Sequence, residues 1–218
     1  LQLGTTTLGG AAVLTAGGAV TQDGDIRVTG TTAITAAGQT VFLDRADNDF
    51  TGSVAVIAED LTLRDVNALQ LGTTTLGGAA VLTAGDSVTQ DGDVQVAGTT
   101  AIDAAGQDIL LDRPGNDFTG RVTVSAADVT LHDASDLSLA GSVTGNLLTT
   151  SRALLLGETT VAGTAVLNAG GAVTQDGDVQ VTGTTAINAP GQSVTLDRPQ
   201  NDFVAPLTIT AGETALQD

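Results

Sequence analysis

The sequence predicts an all-β fold: a right-handed parallel β-helix, or solenoid, of about ten coils with roughly 17–25 residues each. Three observations lead there. The 218-residue chain repeats itself. Its apolar residues alternate with polar ones at period two. Glycine, asparagine or aspartate interrupts every five to eight residues, a spacing no helix tolerates.

The first long repeat is residues 1–68 and the second 69–136; they align without a gap, with 48 of 68 positions identical. LQLG at 1–4 returns at 69–72, and Asn48-Asp49-Phe50 returns as Asn116-Asp117-Phe118. The third copy is expected over 137–218. Thr21 and Thr89 are 68 residues apart, whereas Thr89 and Thr174 are 85 apart, so this copy carries 17 extra residues, expected near 142–158. The chain is read as one β-helical segment, 1–218, of a longer polypeptide, because the sequence has no methionine and neither end reads as a cap.

Each 68-residue copy divides into three segments of about 23 residues. In the second copy these are 78–90, 99–112 and 119–133; they align Val81 with Ile102 and Val124, and Val88 with Ile109 and Val129. VTVSA, DVTLHD and DVQVAG within them have the period-two pattern and β-branched content of strands. Nine coils plus the inserted one would stack at about 4.8 Å into a rod on the order of 45–50 Å long. The interior is expected to be narrow, since the 41% apolar content is mostly Ala, Val, Leu and Ile, and Phe supplies all of the 2% aromatic content.

Charge narrows the function classes. Seven Arg against 25 acidic residues give a net charge of −18, and there is no Lys. Phosphate binding needs clustered cations, so nucleic acid is not an expected partner. Anionic membrane surfaces are disfavoured, and no apolar run is long enough to insert as a spanning helix. The absence of cysteine leaves the redox compartment open.

Two recurring motifs carry carboxylates. VTQDGD occupies 20–25, 88–93 and 173–178. Asp-Gly is a favoured turn pair, with Gly accepting positive φ, and the copies were expected three coils apart, about 14 Å, too far to share one cation. LDRxxNDF is the better candidate for calcium, which takes six to eight oxygens. The candidate ligands are Asp44, Asn48 and Asp49; Asp112, Asn116 and Asp117; and Asp197, Asn201 and Asp202. The competing reading is a turn in which Asp and Asn bond the backbone, Arg screens the acids, and Phe50, Phe118 and Phe203 anchor the corner. Thr pairs such as Thr31-Thr32 and Thr99-Thr100 are too irregularly spaced for an ice-binding array and read as exposed strand filling.

No catalytic residue is expected. Trp, Tyr and Lys, which carbohydrate-active β-helices use beside acids, are absent; His132, the only histidine, sits where the first copy has Arg64. The paired acids repeat with the structure, whereas an active site normally breaks a repeat.

LTLRDVNALQLG at 61–72, the threefold VTQDGD and NDFTG at 48–52 and 116–120 resemble the passenger repeats of filamentous-hemagglutinin-like proteins, the large exoproteins of two-partner secretion. The resemblance covers nearly the whole chain and departs at Val204-Ala205-Pro206. It implies a β-helical stalk exported to the bacterial cell surface, an adhesive role, and packing partners in neighbouring coils of the same parent chain. Its host-cell or biofilm ligand is unidentified. The sequence-based expectation is therefore a non-enzymatic stiff spacer with no cofactor. Its alternatives are a carbohydrate-binding or carbohydrate-active β-helix and a calcium-stiffened repeat.

Overall fold

The computed structural model describes residues 1–104 and 106–218. Parallel strands stack as a β-solenoid of about eleven turns, one more than expected, and no helix occurs among the described residues. At about 4.8 Å per turn the rod is roughly 53 Å long.

Each turn has three strands and therefore three faces. The first face stacks Gln2–Leu3, Thr21–Gln22, Val41–Leu43, Leu61–Asp65, Ala80–Ala84, Thr100–Asp103 and Arg121–Ala126, then residues 138–143 and 159–161, then Val179–Val181 and Asp202–Phe203. The second begins with Thr6–Leu8, Ile26–Val28 and Asp49–Phe50, and continues from residues 66–71 through Val88–Gln90, Ile109–Leu111, Val129–His132, Leu147–Ser151 and Ala165–Ala169 to 207–211. The third runs from Ala12–Thr15 through Thr32–Ala36, Val54–Ala58, 74–76, Val94–Val96 and Asp117–Phe118 to 214–216.

The register shows that the long repeat is not a whole number of turns. Ala12, Ala80 and Ala165 are the same residue of successive copies, yet they lie on the third, first and second faces. Stacked partners are 17 residues apart at the shortest, as in Leu137↔Leu154, and 22 at the longest, as in Thr32↔Val54. A 68-residue copy therefore spans about three and a third turns of about 20 residues, not three of 23. Each copy starts one face further round than the copy before it. This corrects the sequence alignment: Ile102 and Val124 stack on Leu82, and Val81 points outward over Ala101. Val88, Ile109 and Val129 do stack.

The register also resets the extra turn. Leu154 pairs with Val173 and Thr159 with Val179, as Leu69 pairs with Val88 and Thr74 with Val94. LLLG at 154–157 is thus the third LQLG, and the inserted residues are 137–153, a single 17-residue turn beginning five residues earlier than expected. The early LSLAG at 137–141 imitates a repeat start, which is why it drew the boundary.

Alternation puts Val, Leu, Ile and Ala inward on all three faces, and one contiguous core runs through the turns. Phe50, Phe118 and Phe203 are buried at the corners, as expected. The void beside Phe118, among Leu71, Leu82 and Val96, measures about 10 Å³, no more than one water requires. Threonine behaves differently from the expectation of exposed filling. Thr32, Thr74, Thr100, Thr159 and Thr185 are buried in the inward ladders. Thr74 and Thr159 donate to the carbonyls of Gly72 and Gly157, while the hydroxyls of Thr32, Thr100 and Thr185 have no partner.

Candidate functional site

The two carboxylate motifs meet. Each VTQDGD turn lies under the LDRxxNDF corner of the next turn, and the same bonding pattern forms three times. In the first copy Asn48 is fully buried; its Oδ1 accepts from Gln22 Nε2 at 2.8 Å and from the Ile26 amide at 3.0 Å. Its Nδ2 donates to Gln22 Oε1 at 2.8 Å and to the Leu43 carbonyl at 3.2 Å. Gln22 also donates to the Gly24 carbonyl at 2.8 Å, which closes the Asp-Gly turn. Asn116 does the same with Gln90, Val94 and Leu111, and Asn201 with Gln175, Val179 and Leu196. An amide suits this position because it supplies both an acceptor and a donor, where a carboxylate would offer only acceptors.

The glycine of the Asp-Gly pair is required for a reason other than the expected positive φ. The positive-φ glycines are Gly38, Gly106, Gly141 and Gly191. A Cβ on Gly24, Gly92 or Gly177 would instead lie 2.0–2.1 Å from the backbone nitrogen of Thr5, Thr73 or Glu158 in the turn below. Close approach between turns selects glycine here.

Above each asparagine lies an exposed ion pair: Arg45–Asp25 at 2.6 Å, Arg113–Asp93 at 2.8 Å and Arg198–Asp178 at 2.7 Å. Such exposed pairs contribute at most about 1 kcal/mol. Of the proposed metal ligands, the three asparagines are turned inward and committed to the amide pairs. Asp44, Asp112, Asp197 and Asp202 are exposed. Asp49 Oδ1 accepts from Asn67 Nδ2 at 3.1 Å, and Asp117 Oδ1 from Ser135 Oγ at 2.9 Å. Among the described residues, no group of three or more His, Cys, Asp or Glu side chains is placed to hold a metal ion.

Sequence reasoning missed a second set. Asp65, Asp133 and Asp218 are equivalent residues, and each accepts from the amide of a corner phenylalanine: Phe50 at 3.3 Å, Phe118, and Phe203 at 2.8 Å. Asp65 and Asp133 are 1% exposed. Burial pushes the Asp65 carboxyl up to about 6, against the pull of the Asn67 and Phe50 amides, and raises Asp133 likewise. The signal was available: the Asp of LTLRD and VTLHD holds an inward position in a strict alternation.

The repeat is broken at one corner. Beside the inserted turn, Arg121 donates to Ser138 Oγ at 3.2 Å and reaches up the rod to pair with Asp176. Gly157 leaves its path open, since a Cβ there would lie 2.8 Å from Arg121 Nη1. Arg121, Glu158, Asp176, Gly177, Asp178 and Arg198 line an open cleft of about 400 Å³. Glu158 replaces the threonine found at 5 and 73. His132 is half-buried on the second face, beneath Thr150.

A family model described as repeats of unknown function (DUF5649) matches residues 1–57, 58–125 and 145–210. No curated protein and no solved structure matches the chain.

Proposed function

The chain belongs to the family of repeats of unknown function (DUF5649), and we propose that it is a stiff, non-enzymatic spacer. In this reading it is a stalk segment of a large secreted bacterial surface protein, with an adhesive role at the cell surface. The carrying observation is the corner lock. The same Gln–Asn amide pair joins adjacent turns on three different edges of the rod, over a core that runs unbroken between copies. A solenoid fastened this way resists bending and shear between turns, which is what projecting a distant binding group from a surface demands. The resemblance to filamentous-hemagglutinin-like passenger repeats supports the setting: export through a dedicated outer-membrane pore, and attachment or biofilm as the task. The test is mechanical. Stretched between handles in a force spectrometer, the 218-residue chain should stay intact at low force and then release in discrete steps. Gradual extension from the lowest forces would refute a spacer role.

The cleft at the inserted turn favours a second reading, a carbohydrate-binding or carbohydrate-active face. It is where the repeat breaks, and it sets Glu158, Asp176 and Asp178 beside Arg121 and Arg198. Screening the chain against acidic and neutral glycans tests it: binding that Glu158→Gln abolishes would support this reading, and no binding to any glycan would remove it.

A further inference from the structure

We propose that the two ends of the rod are complementary and that copies of this chain dock head to tail in one defined register. The observation is a template inside the molecule. Where the second long repeat mounts the first, Leu71 pairs with Val54, Thr74 with Val56, Thr75 with Ile57 and Leu76 with Ala58. On the next face Ala80 pairs with Leu61, Leu82 with Leu63 and Ala84 with Asp65. The upper side of that junction, residues 69–84, is identical to residues 1–16, the first turn of the rod. Its lower side, residues 54–65, is equivalent to 207–218, the last turn; the inward residues Val54, Val56, Ala58, Leu63 and Asp65 become Leu207, Ile209, Ala211, Leu216 and Asp218. Only Thr214, in place of Leu61, changes class.

The outer turns therefore carry both halves of a junction the protein already makes. Their inward residues show what is missing. Leu8 is 38% exposed where its equivalent Leu76 is 3%, and Leu216 is 42% exposed where Leu63 is 1%. Leu3, Leu14, Leu207 and Ile209 are only partly covered. Seating the first turn of one copy on the last turn of another would cover these side chains. It would pair Leu3 with Leu207, Thr6 with Ile209, Thr7 with Thr210, Leu8 with Ala211 and Leu14 with Leu216. The phase also closes. Three copies each advance one face and the inserted turn adds a full circuit, so the docked copy sits on the same faces as the first and the rod continues straight. The net charge of −18 opposes association, so screening salt favours it. This inference goes beyond the spacer reading and stands on the register alone.

The chain contains no cysteine, so single-cysteine variants are clean probes. Thr7→Cys and Thr210→Cys are mixed at about 0.5 M salt, where the Debye length is below about 5 Å, and oxidised with diamide. The expected product is the mixed disulfide dimer, well in excess of either homodimer. In parallel, the cysteine-free chain should show a weight-average mass that rises at least about two-fold with concentration in sedimentation equilibrium. Leu14→Asp and Ile209→Asp should each block one end and remain monomeric. Mixed together, they should form a 1:1 dimer and nothing larger, since one usable head and one usable tail remain. Circular dichroism checks that these end-turn variants stay folded. A cysteine-free chain that stays monomeric at all concentrations overturns the proposal. So does cross-linking in statistical proportions, or a mixture of blocked variants that fails to dimerise.

Discussion

Replacing Asn116 with alanine should be among the most damaging single changes in the molecule. The substitution removes four hydrogen bonds. Two of the partners, Gln90 Nε2 at 2.8 Å and Gln90 Oε1 at 2.7 Å, belong to a half-buried side chain that can turn to water. The other two cannot relocate. The Val94 amide, 2.9 Å from Asn116 Oδ1, and the Leu111 carbonyl, 3.1 Å from Nδ2, are left buried without a partner. Each buried orphan costs about 1–3 kcal/mol, so the expected loss is about 3–5 kcal/mol. Urea unfolding followed by circular dichroism gives the total, and amide hydrogen exchange locates it, with Val94 losing protection first. Asn116→Asp discriminates further. It keeps the acceptor but aims a second oxygen at the Leu111 carbonyl. The folded state then disfavours the ionised form, so the carboxyl pKa rises above its unfolded value of about 3.9. The variant's stability should be highest below that pH and fall as pH rises through the folded value. A loss under about 1 kcal/mol for Asn116→Ala, or unchanged Val94 exchange, would refute the corner lock.

The buried carboxylate of Asp65, pushed up to about 6 by desolvation, should make the native protein lose stability as pH rises from about 4 to about 6; the native state holds that proton more tightly than the unfolded chain. Asp65→Asn should flatten part of this slope and raise the urea midpoint at pH 8, by an amount on the order of 2–3 kcal/mol in free energy. Thr100→Val removes a buried hydroxyl with no partner and should stabilise by about 1 kcal/mol, seen as a higher melting temperature. Gly92→Ala places a methyl 2.1 Å from the Thr73 nitrogen and should separate two turns, whereas Gly17→Ala meets nothing within 4 Å and should be near neutral in the same melt. Calcium should leave the melting temperature unchanged against a chelator control, because the corner asparagines are committed to Gln22, Gln90 and Gln175. A rise with calcium would return the exposed Asp44 and Asp112 to consideration.

Much of the architecture was legible in the residues, and the failures share one cause. Period-two alternation in VTVSA and DVTLHD announced strands, and the glycine spacing announced the corners. Sequence comparison matches copies with copies, whereas a solenoid packs each turn against its neighbour. With a repeat of three and a third turns these two relations never coincide. Val81 was therefore aligned with Ile102 although Leu82 carries the ladder. The amide pair was hidden for the same reason, since Gln22 and Asn48 lie 26 residues apart, a distance that is neither the repeat nor the turn. Asn48 looked like a ligand because a short polar residue beside a turn is ordinarily exposed, and its burial follows only from the next turn's geometry.

The one-face advance of each copy frees the length of the gene from the symmetry of the rod. Had a copy been three whole turns, each edge would have evolved its own dialect, and a duplicated unit could be spliced in only where it had arisen. Here every strand has been proofread against all three settings. Ala12–Thr15, Ala80–Ala84 and Ala165–Ala169 perform the same part on different faces. A 68-residue unit gained or lost by recombination therefore rejoins seamlessly at any copy boundary. Reach becomes adjustable in increments of about 16 Å, without redesign of a single joint.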